Sequence, residues 1–388
     1  MRLRRRVLLI VLVLIAAIAI AGIAKREEIA RLAAVNTLFD EGRIVGNFSN
    51  MGALFHTAPM PITGLAGPLP PAPAAAALPP GTQEWIAERN ITALVVLRRG
   101  ELVHESYYLG TGPGDRRISW SVAKSFLAAL LGIYVENGAI ASIEDPVTKY
   151  APELASSAYD GATIRNVLNM ASGVAFNEDY LDFWSDINRM GRVIALGGSL
   201  DDFAASITER RAAPGKGFHY VSIDTHVLGM VLRGATGERI PELMNRHILG
   251  PLGLEAEPYY LTDGDGNAFV LGGLNLTTRD YARFGQMILQ GGTWQGQPLV
   301  PTAWVNEMTA ESAPRPSGTE PRYGYQWWLP DDPRPGEVFA QGVYGQYIWI
   351  DRAADVVIAI NAADRGFLDP GVQDGNIGKM RAIVEAVR

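Results

Sequence analysis

The longest apolar segment of the chain lies near its N-terminus. Val7 to Ala24 is an uninterrupted apolar run, and arginines precede it. At about 18 residues it is just long enough to cross a bilayer, where about 20 residues are typical. The basic flank predicts that the N-terminus stays inside and that everything after Lys25 lies outside. Ala19-Ile20-Ala21 also matches a signal-peptidase site.

Residues 1–24 are therefore expected to be a signal anchor or a cleaved signal peptide. A core helix is the third interpretation of the same run. Either of the first two interpretations places the rest of the chain in the periplasm, anchored to the inner membrane or secreted.

Residues 25–81 show no single pattern of hydrophobic and polar positions. Lys25 to Phe39 has helical character, whereas Phe48 to Pro59 carries scattered aromatic residues and is typical of an extended arm. Leu69 to Gly81 is rich in Pro and Ala, a composition that gives a stiff linker without a core of its own. We predict an N-terminal arm and linker over residues 25–81 and the main domain over residues 82–388.

Within the main domain, strand patterns lie at the two ends of the chain and helical patterns lie between them. The expected strands are Thr92–Leu97, Leu102–Leu109 after a turn at Arg98–Glu101, Glu337–Ile350 and Asp355–Asn361. The expected helices include Ala162–Met170, Asp224–Arg233, Thr277–Gln290 and a closing helix over Asn376–Val387. This order predicts an α/β (α+β) fold, in which one antiparallel sheet is built from both chain ends and a helical region is inserted.

One helix carries a residue that its pattern does not explain. Leu127 to Val135 is almost entirely apolar and ends at Asn137-Gly138, so the helix should be buried on all sides. Lys124 lies near its start, where an ammonium is costly unless it is paired or gives up its proton. Ser121 is three residues earlier and shares a helix face with it. A serine beside a lysine of lowered pKa is a way to make a nucleophile.

Composition and charge narrow the possible functions. The 388 residues carry a net charge of -7, with no basic cluster after the first residues, so nucleic-acid binding has no support. There is no cysteine, which excludes a thiol nucleophile and a cysteine-ligated metal. The five histidines are scattered and form no zinc motif. We expect neither a metal nor a cofactor.

Two further stretches could assist Ser121. Tyr220 and Ser222 flank a turn that leads into a helix, and a phenol near a lysine can carry a proton. The stretch around Gly342 and Val343 is a glycine-bearing strand, which would leave an N–H free to point at an oxyanion. The helix N-terminus at Ser121 favours negative charge in the same way. Each of these features also has a purely structural interpretation. Ser121 would then cap its helix, Tyr220 would be a packing residue, and the stretch around Gly342 would be an ordinary edge strand.

Taken together, these stretches resemble the serine β-lactamase and penicillin-binding-protein superfamily. The resemblance is strongest to its class C-like branch, which includes esterases and 6-aminohexanoate-dimer hydrolases, and it covers residues 82–388. It rests on the blocks Ser121–Phe126, Met170–Val174, Tyr220–Thr225, Gly272–Asn275, Arg279–Gly285 and Gly342–Ile348.

The resemblance implies a role for each of these residues. Ser121 would be the acylated nucleophile, and Lys124 and Tyr220 would be its general bases. The backbone N–H groups of Ser121 and Val343 would form the oxyanion hole. Substrate-binding positions would be Tyr180, Ser222, Gly342 and Trp328, with Trp327 as a further candidate for the pocket.

Two departures from the family pattern bear on the substrate. Ser222 stands where the family usually has an asparagine, and Ala340-Gln341-Gly342 stands where it usually has a cation. Without that cation, a carboxylate-bearing substrate has no obvious anchor. We therefore expect the substrate to be a small neutral amide or ester, or one that other groups hold. A D-alanyl-D-alanine carboxypeptidase or β-lactamase, and a non-catalytic binding or sensor domain, are the alternatives.

Overall fold

The computed structural model describes residues 2–62 and 64–388. The helices are α1 (Arg2–Ala24), α2 (Arg26–Thr37), α3 (Ile44–Ser49), α4 (Met51–Leu54), α5 (Thr82–Glu88), α6 (Val122–Glu136), α7 (Ile164–Leu168), α8 (Asp186–Ala195), α9 (Leu200–Ala205), α10 (Ser222–Thr236), α11 (Ile240–Met244), α12 (Gly250–Leu252), α13 (Thr278–Leu289), α14 (Thr302–Met308) and α15 (Val372–Val387). The strands are β1 (Thr57–Pro59), β2 (Ile91–Arg98), β3 (Glu101–Tyr107), β4 (Arg117–Ile118), β5 (Tyr259–Leu261), β6 (Leu274–Leu276), β7 (Thr293–Trp294), β8 (Gln297–Pro298), β9 (Arg322–Tyr323), β10 (Trp328–Leu329), β11 (Glu337–Gly342), β12 (Gln346–Asp351) and β13 (Val356–Ala362).

The main sheet joins the two ends of the domain. Its seven strands are antiparallel and run in the order β3-β2-β13-β12-β11-β10-β9. The hairpin between β2 and β3 turns at Arg99 and Gly100, which both have positive φ, as a tight hairpin turn requires. The pairing of β13 with β2 brings the end of the chain beside the start of the domain. The predicted sheet from both chain ends, with helices inserted, is confirmed.

Side chains of the main sheet alternate between two apolar layers. Val95 and Leu97 of β2 face the larger core, which includes α6 and α13. Leu94 and Val96 face a smaller core, which includes residues of α5 and α15. Because successive residues of a strand point to opposite faces, a run that is apolar at every position is buried on both faces.

Helix α6 passes through the larger core. Its residues from Val122 to Gly132 are all buried, and it ends at Asn137, as predicted. The helix is therefore surrounded by other parts of the core, as its nearly all-apolar sequence requires. Lys124 is 1% exposed and lies within this helix.

The arm before the main domain packs into the same core as α6. Phe48 is 0% exposed and Met51 is 1% exposed. The extended conformation expected for Phe48–Pro59 is wrong for most of that stretch, because α3 and α4 are helical and only β1 is extended. Contacts with the domain decide the conformation here, since Phe48 and Met51 bury their side chains against it.

The Pro/Ala segment follows the edge of the main sheet. The N–H groups of Ala72 and Ala76 donate to the carbonyls of Leu102 and Val103, and the Leu102 N–H donates to Pro70. The segment therefore covers edge strand β3 and occupies backbone groups that would otherwise be open to pairing.

Two other helices differ from expectation. The helix expected over Ala162–Met170 is limited to α7, because a capping box at Thr163 and Asn166 starts it and Met170 has a positive φ of 51° just beyond its end. Helix α1 is long and apolar enough by length and composition to cross a membrane, and its apolar side chains are exposed.

Replacement of Phe48 by alanine tests whether the arm belongs to the folded core. We expect the free energy of unfolding to fall by about 3–5 kcal/mol, because a fully buried aromatic side chain would leave a cavity. Thermal and urea unfolding measure the change. Leu181→Ala is the control, since Leu181 is 83% exposed and should change stability by less than about 0.5 kcal/mol. Equal stability of the Phe48→Ala variant and the parent would contradict the packing of the arm.

Candidate active site

Ser121 lies at the N-terminus of α6 with its side chain free of any capping bond. It follows Trp120, which has a positive φ of 42°, a conformation that side chains other than glycine rarely adopt. The Ser121 hydroxyl makes no cap hydrogen bond to α6. It faces a cavity and is therefore available for chemistry.

Lys124 contacts Ser121 directly. Its Nζ lies 2.9 Å from the Ser121 Oγ, 2.8 Å from the Leu271 carbonyl oxygen and 3.4 Å from the Ser222 Oγ. Burial lowers the pKa of Lys124 to about 7, although the carboxylates of Glu178 and Asp224 act against the fall. A sizeable fraction of the lysine is therefore neutral near pH 7.

The third residue of the set, Tyr220, lies beside the lysine. The Lys124 Nζ is 5.4 Å from the centroid of the Tyr220 ring. Burial and the nearby charge of Glu178 raise the pKa of Tyr220, while the hydroxyls of Ser121 and Ser222 act in the opposite direction. Trp328 stacks on Tyr220 with the ring centroids 5.4 Å apart, which fixes the plane of the phenol.

Gly342 brings strand β11 against the segment that carries Ser121. A Cβ on Gly342 would lie 2.7 Å from the Ser119 carbonyl oxygen and 3.0 Å from the Ser121 nitrogen, so only glycine fits. Among the described residues, neither the Ser121 N–H nor the Val343 N–H donates to another backbone group. Two backbone N–H groups without a backbone acceptor thus belong to residues that line the same cavity, and they are available as oxyanion donors.

A carboxylate that the sequence did not single out lies at the same site. Glu178 accepts a hydrogen bond from the Tyr180 hydroxyl at 2.7 Å, from the Ser222 N–H at 2.9 Å and from the Ser222 hydroxyl. It thus sits at the N-terminus of α10, where the helix dipole stabilises an anion. Glu178 also holds Tyr180 and Ser222, two of the predicted substrate-binding residues.

Asp224 is a second acidic residue that sequence reasoning missed. It is 0% exposed, and the Tyr159 hydroxyl donates to its Oδ1 at 2.7 Å. Burial raises the pKa of Asp224 to about 8. In the sequence, the position of Asp224 two residues after Ser222 is the only signal that marks it. That signal is weak, because an acidic residue in the first turn of a helix is common.

Aromatic side chains of the arm brace both sides of the site. Phe39 stacks on Tyr344 with centroids 4.6 Å apart, and Phe48 packs against Trp120 at 5.5 Å. Trp120 precedes Ser121 and Tyr344 follows Val343, and both have positive φ. The arm therefore supports the two strained backbone positions that flank the backbone donors.

Trp327 does not line the pocket. It is 0% exposed and stacks on Phe284 in the larger core, at a centroid distance of 6.3 Å. Its neighbour Trp328, the first residue of β10, lies on another side and stacks on Tyr220. Within residues 2–62 and 64–388, no group of three or more His, Cys, Asp or Glu side chains could hold a metal ion.

Residues 83–376 match the family model described as Beta-lactamase, and the chain belongs to that family. It is accordingly a serine hydrolase that acts on amide or ester bonds.

One relative is particularly informative. The chain is 33% identical over 328 residues to the 6-aminohexanoate-dimer hydrolase of Paenarthrobacter ureafaciens, a match that covers 80% of this chain and 83% of the relative.

Solved structures share the fold. A protein of Bacillus anthracis assigned as a 6-aminohexanoate-dimer hydrolase matches with a TM-score of 0.78 and 22% identity, covering 90% of this chain and 96% of the other. A protein of Bacteroides dorei assigned as a β-lactamase matches with a TM-score of 0.63 and 22% identity, covering 78% and 97%. The predicted family resemblance is confirmed.

Replacement of Gly342 by alanine tests the contact between β11 and Ser121. The added Cβ would push the Val343 N–H away from the Ser121 N–H, so we expect kcat for ester hydrolysis to fall by about 10²–10³-fold, as when one oxyanion donor is lost. Steady-state kinetics measure the change. Gly375→Ala in α15 is the control, because a Cβ there meets nothing within 4 Å. A Gly342→Ala variant with parental kcat would show that this close approach is dispensable.

Proposed function

We propose that the chain hydrolyses neutral amides or esters through an acyl-enzyme on Ser121, in the manner of a 6-aminohexanoate-dimer hydrolase or a related esterase. The observation that carries the proposal is the 2.9 Å contact between the Ser121 Oγ and the Nζ of a lysine whose pKa is lowered to about 7. A neutral lysine at this distance is a general base for the serine.

The first half of the reaction forms the acyl-enzyme. Lys124 accepts the Ser121 proton as the Oγ attacks the substrate carbonyl, and the carbonyl oxygen becomes an oxyanion opposite the Ser121 and Val343 N–H groups. The carbon–nitrogen or carbon–oxygen bond then breaks, and the leaving amine or alcohol takes up a proton from the Lys124–Tyr220 pair.

Water completes the cycle. Lys124, directly or through the Tyr220 hydroxyl, takes up a proton from the water as it attacks the acyl carbon, and the Ser121 Oγ leaves and regains a proton from Lys124. The raised pKa of Tyr220 keeps its phenol protonated, so Tyr220 relays protons to and from Lys124 and is not a phenolate base in the resting enzyme.

The residues around the serine favour a neutral substrate. Gln341 and Ser222 are uncharged, so neither can pair with a substrate carboxylate. Gln341 donates to the Tyr347 hydroxyl at 3.2 Å, and the Ser222 hydroxyl donates to Glu178. We assign Tyr180 and Ser222 to the walls of the substrate site, because both line the cavity. Gly342 contributes backbone shape, and Trp328 acts through its stacking on Tyr220.

The N-terminal helix supports a location at the membrane. The apolar part of α1 follows a group of arginines, which favours an inner-membrane anchor with the catalytic domain in the periplasm. Cleavage of the same segment as a signal peptide would release the domain into the periplasm.

Covalent labelling tests the nucleophile. We expect a fluorophosphonate to add one adduct to the parent protein and none to Ser121→Ala, because only an activated serine attacks phosphorus at neutral pH. Intact-mass spectrometry measures the adduct. Ser125→Ala is the matched control and should be labelled like the parent, because the Ser125 hydroxyl donates to the Gln326 carbonyl and is not the proposed nucleophile.

Labelling of Ser121→Ala as fast as the parent would refute the mechanism. A substrate panel of short esters, aminohexanoate oligomers and D-Ala-D-Ala peptides then separates the esterase or amidase from a carboxypeptidase. Stable acylation without turnover of any of them would identify a non-catalytic sensor.

The pH dependence of kcat/KM tests the role of Lys124. Its neutral form is the base, so kcat/KM for a neutral ester should rise with pH through an inflection at about 7 and level off above it. Glu178→Gln should move the inflection to lower pH, because the Glu178 charge favours protonated Lys124. Initial rates between pH 5 and 9 measure both effects. A flat profile, or a rate that falls with rising pH, would argue against a neutral lysine base.

A further inference from the structure

A deep cavity opens beside the Ser121 hydroxyl. The cavity has a volume of about 120 Å³. Most of its walls are apolar. Helix α2 and the segment after it supply Val35, Leu38 and Phe39, and helix α8 supplies Ile187, Met190 and Ile194.

Three of the polar side chains in the walls are bonded to protein groups, whereas the buried indole N–H of Trp120 has no acceptor among the described residues. The Asn188 amide donates to the carbonyls of Tyr180 and Asp182 at 3.0 Å and 2.8 Å. The hydroxyls of Tyr180 and Ser222 both donate to Glu178. Beyond the Ser121 hydroxyl, the nearby backbone N–H groups and the Trp120 indole N–H, a ligand in this cavity would therefore meet mainly apolar surface.

One wall comes from outside the part of the chain that the family model matches. Val35 to Phe55 precedes residues 83–376, yet Leu38, Met51 and Phe55 line the cavity. The arm thus closes a space that the family core alone would leave open. Leu181 and Trp184, which follow the cavity residue Tyr180 in the chain, are 83% and 80% exposed.

We propose that this cavity holds the apolar acyl chain of the substrate, so that the substrates are amides or esters of unbranched aliphatic acids. The proposal rests on the acyl-enzyme at Ser121. The acyl group is the part of the substrate that becomes bonded to the Ser121 Oγ, and Ser121 itself lines the cavity. An aliphatic chain has no polar group that needs a hydrogen-bond partner, and each methylene that it buries in the cavity makes binding more favourable.

A series of p-nitrophenyl esters tests the proposal. From acetate to decanoate we expect kcat/KM to rise by up to about fourfold for each methylene that becomes fully buried. A kcat/KM that is unchanged or falls from acetate to decanoate would overturn the proposal. A dependence found only when the alkyl chain is placed on the leaving alcohol would overturn it as well.

Gly191 of α8 offers a sharper test. It lines the cavity, and a Cβ built on it meets nothing within 4 Å, so a larger side chain can occupy the space without a clash. Gly191→Leu should lower the ratio of decanoate to acetate kcat/KM by at least tenfold. Gly378→Leu in α15 is the matched control, because its Cβ is equally free and lies away from the cavity. It should leave the ratio at the parental value.

The outcomes separate this proposal from the one on which it rests. If no ester acylates Ser121 in the parent protein, the acyl-enzyme mechanism fails. If acetate acylates Ser121 but Gly191→Leu lowers acetate and decanoate hydrolysis by the same factor, the mechanism stands and the acyl-chain site is wrong. The thermal unfolding of both glycine variants shows that the comparison is made between folded proteins.

Discussion

The site depends on one buried lysine. Lys124 lies in a helix whose other residues are nearly all apolar, and it is 1% exposed. Its surroundings hold it by a hydrogen bond to the Leu271 carbonyl and another to the Ser121 hydroxyl. Burial makes its charged form costly, which lowers the pKa of Lys124 into the range where it can accept a proton at neutral pH. The folding of α6 into the core thus gives Lys124 the lowered pKa that the proposed role as a base requires.

The other parts of the site are held by packing around that lysine. Gly342 lets strand β11 approach Ser121, and this brings the Val343 backbone near the helix N-terminus. The arm braces both positions through Phe39 and Phe48. A segment that looks like a connection in the sequence therefore contributes both to the rigidity of the backbone donors and to the wall of the cavity.

Much of the fold could be predicted, because its elements have strong local patterns. The apolar strand β2, the apolar helix α6 and the closing helix α15 each follow from periodicity and from their end residues. Ser121, Lys124 and Tyr220 could be identified from the sequence because their spacing resembles that of the motifs of the β-lactamase family. Their convergence to contact distance is a property of the fold that only the structure gives.

The remainder depends on contacts between residues far apart in the chain. Glu178 meets Ser222, 44 residues later, and no local pattern marks such a pair. Phe48 is buried because the domain supplies Trp120 and Tyr344, so its local sequence alone predicted the wrong conformation. Trp327 and Trp328 are adjacent in sequence, but Trp327 stacks on Phe284 in the larger core and Trp328 stacks on Tyr220, a distinction that depends on tertiary contacts.

The most direct test of the central claim is the pKa of Lys124 itself. In protein labelled with ¹³C at the lysine side chains, an NMR titration follows each methylene next to Nζ, and the Lys124→Met variant assigns the resonance. We predict that Lys124 titrates at about 7, while exposed lysines titrate near their ordinary value of about 10.4. A Lys124 that titrates with the exposed lysines would be charged throughout the working range. It could then not act as the base for Ser121, and the proposed mechanism would be wrong.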